Sequence, residues 1–318
     1  MGNTSRVEVA TRSEEPVRRR RGPALALLAA TRPRQWIKNL LVFAVPAAAG
    51  ELGASDVIAD GAIAFAAFCL ASAGTYLLND VADREADRAH PVKRHRPVAA
   101  GEIGPGTATA AAVVALVLAC AVSLLSGPGL LLVVVAYIAL TTAYSRVLKH
   151  VPIFDIAAVA AGFFLRAIAG GVAAELPISK WFLIIAGGGS MFIVTAKRYA
   201  ELREAPDGAS RRVLAEYSEE YLRALLATIA GVIVVAYCIW SFEDRGQHAA
   251  TWPSSASAVP FALGIMRYGL LVDQGHGEEP EALLLGDRTL LGLAAACVGL
   301  LVLGTLLCSP RSSKLQMQ

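Results

Sequence analysis

The sequence predicts an all-α fold: a polytopic membrane protein with nine transmembrane helices. Of the 318 residues, 55% are hydrophobic and 17% are charged, whereas a soluble domain carries about 25% charged residues. The mean hydropathy is +0.53. Most apolar residues fall in blocks of about 17–25 residues, the length that crosses the hydrocarbon core of a bilayer. Lysine and arginine are concentrated in alternate loops, which indicates a fixed orientation across the membrane.

Three segments follow from the composition along the chain. Residues 1–22 are polar, end in consecutive arginines and are predicted to form a disordered basic N-terminal arm. Residues 23–308 form the predicted transmembrane domain, and residues 309–318 form a C-terminal tail. The predicted spans are 38–50, 56–79, 107–125, 128–146, 152–172, 180–197, 220–240, 256–273 and 285–308. A tight turn is expected at Ser126-Gly127-Pro128-Gly129, between two spans.

The distribution of charge predicts the orientation. With the N-terminus placed inside, the inner loops hold nearly all the lysine and arginine, so we expect a plasma-membrane protein whose active face meets the cytoplasm. Two inner loops, 80–106 and 198–219, are long and open with charged residues directly after a span, which suggests two four-span halves and an added ninth helix. Juxtamembrane arginines are more typical of contact with anionic lipid than with nucleic acid. The predicted partner is therefore the lipid bilayer, with no nucleic acid.

The loop after the second span carries the most informative motif. If the helix continues through it, Asp80, Asp83 and Asp87 lie within roughly 60° of one face, and Asn79 leads them. Carboxylates fixed at a membrane surface suit Mg²⁺, which prefers a few carboxylates together with phosphate oxygens. The basic residues that follow are Arg84, Arg88, Lys93, Arg94 and Arg96. The pattern predicts a site for a magnesium–pyrophosphate substrate; a solvated acidic helix end is the alternative.

A second charged motif lies at the inner end of the sixth span. Lys197, Glu201 and Glu204 share one face of the predicted helix, with Arg198 beside them. As a functional motif, Lys197 and Arg198 would bind phosphate while Glu201 would help to hold a metal or a sugar hydroxyl. The alternative is an interfacial helix with ion pairs one turn apart and snorkelling cations.

Polar residues also close the inner ends of the fourth and fifth spans, notably Tyr144 and Lys149. Arg166 lies deeper in an otherwise apolar helix, where an arginine is expected to face a partner or a polar cavity. Asp155 is about three turns earlier, on roughly the same side, so the two residues could line one cavity. A structural tie between an aspartate and an arginine of neighbouring helices is the alternative.

The entry to the first span carries cations beside Trp36, an expected interface anchor. Arg34 and Lys38 could contact a lipid phosphate there. The five cysteines all lie in apolar runs without the spacing of a disulfide framework or a zinc site. The sequence shows no Walker loop, dinucleotide fingerprint or nucleophile elbow, which argues against those enzyme classes.

With these residues in place, the chain resembles the UbiA superfamily of intramembrane transferases, whose hallmark NDxxDxxxD corresponds to Asn79, Asp80, Asp83 and Asp87. It is more narrowly similar to the branch of that family that transfers phosphoribose to decaprenyl phosphate. The strings that carry the resemblance are RPRQWIKNLLVFA (32–44), NDVADREADRAHPVKRHRPVAAGEI (79–103), AYSRVLKHVPIFDI (143–156), FFLRAIAGG (163–171), AKRYAEL (196–202) and PEALLLGDRTLL (280–291). The resemblance implies helices bundled around a central cavity with cytoplasmic cap loops. Aromatic prenyltransferases of the family carry a second aspartate-rich motif where this chain has Lys197-Arg198.

The resemblance implies transfer of 5-phosphoribose from phosphoribosyl pyrophosphate to polyprenyl (decaprenyl) phosphate, for the synthesis of arabinan cell-wall precursors. Mg²⁺ on Asp80, Asp83 and Asp87 would bridge the pyrophosphate of the donor. The residues assigned to the donor or the acceptor are Asn79, Lys93, Arg94, Tyr144, Lys149, Arg166, Lys197, Arg198, Glu201, Arg34 and Lys38. A homotrimer is left open. The alternatives are a prenyltransferase that joins a prenyl diphosphate to an aromatic acceptor, and a transporter or lipid-binding protein.

Overall fold

The computed structural model describes residues 22–204, 212–243, 251–275, 282–283 and 286–307. All the regular elements of these residues are helical. The α-helices are α1 (Pro23–Ala30), α2 (Ala44–Ala49), α3 (Ser55–Ala82), α4 (Arg84–Ala89), α5 (Pro105–Ser123), α6 (Pro128–Arg146), α7 (Phe154–Ala173), α8 (Lys180–Glu204), α9 (Glu219–Phe242), α10 (Thr251–Ala256), α11 (Ala258–Asp273) and α12 (Arg288–Leu307). Short 3₁₀ segments are Pro33–Phe43, Lys93–His95, Leu124–Ser126, Leu148–His150 and Arg212–Glu216. The predicted arm and tail lie almost wholly outside the described residues.

Six helical stretches in the described part of the chain are long and apolar enough to cross a membrane, which makes this a multi-pass membrane protein. They are Ser55–Ala82, Pro105–Ser126, Pro128–Arg146, Phe154–Ala173, Glu219–Phe242 and Trp252–Asp273. The apolar stretch Arg288–Gly304 is shorter. Helix α8 has 25 residues but is less apolar, because it contains three consecutive glycines and charged residues at both ends. The count of nine spans therefore stays a prediction.

The first predicted span, 38–50, is not one α-helix. It consists of the end of the 3₁₀ segment Pro33–Phe43 and the six-residue helix α2. This segment lies very close to α7. The closeness shows at Gly170, where a Cβ would lie 1.9 Å from the carbonyl oxygen of Val42. Glycine at this position therefore allows the N-terminal segment to reach the centre of the bundle, where Asn39 is buried.

The helix starts follow local rules of the sequence. Proline stands in the first turn of α1, α5 and α6, where its missing N–H is not needed. The turn predicted at Ser126–Gly129 is present, and Gly127 adopts φ 98°, a conformation that favours glycine. At α9 the side chain of Ser218 accepts a hydrogen bond from the N–H of Tyr221 and caps the helix.

Helices α3 and α7 form the centre of the bundle. In each of them, 56% of the most apolar 18-residue stretch is buried inside the protein, whereas the share is 22% to 28% in the other four spanning helices. One apolar cluster joins α3, α6 and α7 around Phe68 and Tyr137, and a second joins α7, α8, α9 and α11 around Phe192 and Ile233. The two central helices therefore carry polar residues into the interior, where the candidate site lies.

Candidate active site

A polar cavity of about 710 Å³ lies between the N-terminal segment and the ends of α3, α6 and α7. Its wall comes from five separate parts of the chain. The lining residues are Arg32, Lys38, Thr75, Tyr76, Asn79, Asp83, Ala86, Lys93, Arg96, Tyr137, Thr141, Tyr144, Ser145, Lys149, His150, Ala158, Val159, Gly162, Phe163 and Arg166. Seven of the predicted site residues are among them: Lys38, Asn79, Asp83, Lys93, Tyr144, Lys149 and Arg166.

The wall is strongly cationic. Among the described residues that line it, six are lysine or arginine and one, Asp83, is acidic. Cations gathered around a concave surface raise the local concentration of an anionic ligand, because low-dielectric walls concentrate their field. The cavity is therefore suited to a ligand with several negative charges, such as a phosphate ester with a diphosphate.

The three motif aspartates are held by cations of other segments. Asp80 is buried and forms ion pairs with Arg32 and with Arg96, whose Nη1 lies 3.3 Å from its Oδ1. The same Nη1 of Arg96 lies 2.7 Å from Oδ2 of Asp87, which is also buried. Asp83 is partly exposed, and its Oδ1 lies 3.3 Å from Nζ of Lys149. The aspartates thus hold basic side chains at the cavity wall.

The helix does not run without interruption through the motif. Helix α3 ends at Ala82, Asp83 is a turn residue and α4 begins at Arg84. Within the described ranges, no group of three histidine, cysteine, aspartate or glutamate side chains is arranged to hold a metal ion. The expected carboxylate triad is therefore not assembled in this conformation, because Arg32 and Arg96 occupy the carboxylates of Asp80 and Asp87.

The donor set at the wall still suits Mg²⁺ in one binding mode. Mg²⁺ keeps several waters and is commonly bound by one or two carboxylates together with phosphates of the substrate. The carboxylate of Asp83 and the amide of Asn79 both face the cavity. These oxygen atoms fit an ion that arrives with a diphosphate rather than one enclosed by protein ligands alone.

Arg166 is buried, forms hydrogen bonds to neighbouring residues and lines the polar cavity, as the sequence predicts. Its Nε donates to Oδ1 of Asn39 at 2.7 Å, and its Nη2 donates to the hydroxyl of Tyr137 at 2.6 Å. A third bond runs from Nη1 to the carbonyl oxygen of Gly162, one turn earlier, at 2.9 Å. The guanidinium is thus fixed by three bonds. Asn39 and Tyr137 were not identified from the sequence, because their role depends on contacts across 127 and 29 residues.

Two predicted cations are replaced at the wall by close neighbours in the sequence. Arg34 and Arg94 are exposed and do not line the cavity, whereas Arg32 and Arg96 do. Arg32 adopts φ 55° and ψ 62° just before Pro33, a turn that lets its side chain reach Asp80. The identity of the inward-facing arginine is thus decided by backbone conformation.

The second charged motif forms a separate buried cluster. Arg198 is 2% exposed; its Nε lies 2.8 Å from Asp155, and its Nη1 lies 2.8 Å from Glu201. The hydroxyl of Tyr217 donates to the other oxygen of Asp155 at 2.6 Å. Neither Lys197, Arg198 nor Glu201 lines the polar cavity. Asp155 therefore does not share a cavity with Arg166. The alternative for Asp155, an ion pair with an arginine of a neighbouring helix, is present, and its partner is Arg198 of α8.

A second cavity, of about 560 Å³, adjoins the first. Its lining is mostly aliphatic and aromatic and comes from the segment 41–49 and from α7, α8 and α9, with contributions from Pro177 and Leu301. Phe163 lines both cavities, so the polar and the apolar space meet at one side chain. Nζ of Lys38 lies 5.8 Å from the centre of the Phe163 ring, at the same junction.

Three consecutive glycines of α8 show how the apolar space is left open. A Cβ at Gly187 would contact Phe164 of α7, and one at Gly188 would lie 2.9 Å from Ile233 of α9. A Cβ at Gly189 would have no atom within 4 Å, and this residue lines the apolar cavity. The absence of side chains here allows close helix packing on two sides and empty volume on the third.

Comparison with known proteins agrees with this architecture. The chain is 43% identical over 286 residues to the decaprenyl-phosphate phosphoribosyltransferase of Corynebacterium glutamicum, an alignment that covers 87% of this chain and 86% of that one. It is 44% identical over 275 residues to the decaprenyl-phosphate phosphoribosyltransferase of Mycobacterium tuberculosis, with 85% and 90% covered. A solved structure of a UbiA homologue from Archaeoglobus fulgidus, bound to GPP and Mg²⁺, aligns with a TM-score of 0.67 at 15% identity over 89% of this chain and 99% of that chain, and therefore shares the fold. Residues 40–293 match the model of the UbiA prenyltransferase family, and the chain belongs to that family.

Proposed function

We propose that the protein transfers 5-phosphoribose from phosphoribosyl pyrophosphate to decaprenyl phosphate and releases pyrophosphate. The observation that carries the proposal is the junction at Phe163, where a cavity lined by six cations meets an apolar cavity. One substrate with several phosphate groups and another with a phosphate on a long hydrocarbon chain match these two spaces. The relatives named for this reaction, 42% to 44% identical, support the same assignment.

The donor would bind at the cationic wall. Lys93, Arg96 and Lys149 face the cavity from two segments and would contact the phosphate groups of the donor. Arg32 and Arg96 now pair with Asp80 and Asp87, so a polyanion bound to these arginines would compete with the aspartates for them. The carboxylates would then be free to act as oxygen ligands. This competition reconciles the predicted aspartate triad with the ion pairs that Asp80 and Asp87 make with the two arginines.

Mg²⁺ would be held by Asp83 and Asn79, joined by Asp80 and Asp87 after that exchange. When bound, it would neutralise the charge that develops on the departing pyrophosphate. Arg94, Lys197, Arg198 and Glu201 keep their predicted donor roles only as hypotheses, because they lie away from the cavity wall.

The acceptor would place its phosphate where the two cavities meet. Lys38 lies there beside Phe163, and Arg166 is fixed nearby by Asn39 and Tyr137. Tyr144, which also lines the polar cavity, would orient one of the substrates. An ionised phosphate is already a nucleophile, so attack on the anomeric carbon requires no strong base. Positioning and electrostatic stabilisation would supply most of the rate enhancement.

The membrane arrangement completes the proposal. The excess of lysine and arginine in alternate loops supports nine spans in the plasma membrane with the cavity open to the cytoplasm. The product would then form on the cytoplasmic side, as a precursor for arabinan synthesis. The basic arm 1–22, the tail 309–318 and a homotrimer remain predictions from the sequence and its resemblance.

The decisive experiment uses the purified protein in nanodiscs with radiolabelled phosphoribosyl pyrophosphate and decaprenyl phosphate. We expect label in the lipid fraction, no transfer after removal of divalent cations with EDTA, and recovery on addition of Mg²⁺. A parallel reaction contains geranylgeranyl diphosphate and 4-hydroxybenzoate. Turnover there, with none from phosphoribosyl pyrophosphate, would replace the proposal by an aromatic prenyltransferase.

A further inference from the structure

The segment that carries Lys149 ends in a strained turn. Ile153 adopts φ 68° and ψ −47°, and the N–H of Phe154 donates to the carbonyl oxygen of Pro152 at 2.8 Å. These features define a γ-turn with positive φ, which is rare and strained. The strain is greater for a β-branched residue, because its Cβ substituents crowd the backbone in this region. Such a conformation persists only where surrounding contacts hold it.

One side chain from a distant part of the sequence makes the holding contact. The hydroxyl of Tyr217 accepts the hydrogen bond of the Ile153 N–H and donates its own proton to Asp155 at 2.6 Å. Asp155 is completely buried and is balanced by Arg198. Burial and the bond to Asp155 raise the pKa of Tyr217 well above its ordinary range, so the phenol keeps its proton at neutral pH.

The strained turn is close to the cavity in both sequence and space. Residues Leu148–His150 form a 3₁₀ turn just before it, and Lys149 and His150 of this turn line the polar cavity. Lys149 is partly exposed and pairs with Asp83 at the end of α3. The positions of the Lys149 and His150 side chains therefore depend on the strained turn at Ile153, which connects their 3₁₀ turn to α7.

We infer that Tyr217 is a positioning residue of the donor site, whose hydroxyl holds the turn at Ile153 and thereby keeps Lys149 at the cavity wall. The inference rests on the proposed function only in taking phosphoribosyl pyrophosphate as the ligand of that wall. It also gives the buried Arg198 a role. Arg198 donates to Asp155 and thereby fixes the carboxylate that orients the Tyr217 hydroxyl.

The test compares four variants in the purified full-length protein: Tyr217→Phe, Ile153→Gly, the double variant, and Tyr221→Phe. Tyr217→Phe removes one oxygen atom and leaves the Ile153 N–H without its acceptor. We expect KM for phosphoribosyl pyrophosphate to rise about tenfold while kcat falls much less. Glycine adopts positive φ without strain, so Ile153→Gly in the Tyr217→Phe background should recover most of the loss. Tyr221 is exposed and stacks on Tyr217, and its variant should match wild type.

A second measurement does not depend on activity. The rate of modification of Lys149 by an amine-reactive reagent, followed by peptide mass spectrometry, should increase in Tyr217→Phe and return towards wild type in the double variant. Unchanged KM and unchanged labelling in Tyr217→Phe, or a loss that Ile153→Gly does not relieve, would overturn the inference. If Tyr217→Phe does not fold, the double variant is compared with wild type by the same two measurements. A KM and a labelling rate close to wild type support the inference, and a raised KM with raised labelling would overturn it. Failure of wild type to use phosphoribosyl pyrophosphate would instead reject the proposed function, and the labelling comparison would still test the role of Tyr217.

Discussion

Lys149 Nζ lies 3.3 Å from Asp83 Oδ1 and joins the segment between α6 and α7 to the end of α3. The two side chains are 26% and 33% exposed, so their ion pair contributes little to stability. Both line the polar cavity. A weak pair at the wall of a cationic cavity is easily exchanged for contacts with a ligand, which makes the two residues candidates for function rather than for folding.

Lys149→Ala should therefore lower kcat/KM for phosphoribosyl pyrophosphate by about a hundredfold, because one preorganised cation is lost where the donor's charge develops. The thermal midpoint should remain close to wild type. Turnover is measured as transfer of labelled phosphoribose to lipid. Lys180→Ala is the matched control, since Lys180 is the first residue of α8, lies beside Trp181 and does not line the polar cavity. Equal activity of the two variants would remove Lys149 from the site.

Asp80→Ala and Asp83→Ala should both abolish turnover but differ in stability. Asp80 has 2% of its side chain exposed, so its removal leaves Arg32 without its buried counterion, leaves Arg96 with Asp87 alone, and costs about 2 kcal/mol. Asp83 is more exposed, and its removal should leave the thermal midpoint nearly unchanged. Scanning fluorimetry in detergent separates the two effects. Wild-type turnover in either variant would contradict the role proposed for the motif.

Arg166→Lys should reduce both stability and turnover although the charge is kept. Lysine cannot reproduce the fork of bonds to Asn39, Tyr137 and Gly162, so buried acceptors lose their partner. We expect a loss of about 2 kcal/mol and at least tenfold lower turnover. Arg146→Lys at the exposed end of α6 provides the control. A stable, active Arg166→Lys protein would show that the bonding geometry does not matter.

Asp287 should contribute stability that disappears in acid. Hydrogen bonds from Arg267 and from the N–H of Leu290 hold the pKa of this carboxyl below its ordinary value of 3.8. A group whose pKa is lower in the folded state stabilises the protein above its unfolded-state pKa and loses that contribution as the pH falls through the folded-state pKa. The difference in thermal midpoint between wild type and Asp287→Asn should be largest at neutral pH and shrink below about pH 4. A constant difference across this range would contradict the linkage.

The sequence predicts those features that local patterns encode. Apolar runs identify the spanning helices, and the aspartate-rich motif identifies the loop that lines the polar cavity. Arg166, an arginine deep in an otherwise apolar helix, is expected to face a polar space and does so. The first span was predicted less well, because hydropathy does not distinguish a 3₁₀ segment from an α-helix.

The pairing of charges across the fold was beyond the sequence. The ion pair of Arg198 with Glu201 is one helical turn apart and follows the local alternative, whereas the pair with Asp155 spans 43 residues. The selection of Arg32 over Arg34 depends on a left-handed backbone turn. The strained turn at Ile153 gives no sequence signal either, since isoleucine is a poor residue for positive φ.

The apolar cavity has about the volume of a pocket for a drug-sized molecule, far less than a decaprenyl chain needs. This cavity would enclose the isoprene units nearest the phosphate, while the distal units would stay dissolved among the acyl chains of the membrane. Such an enzyme would recognise the head of its lipid and ignore its length, and it would never have to extract the hydrocarbon into water.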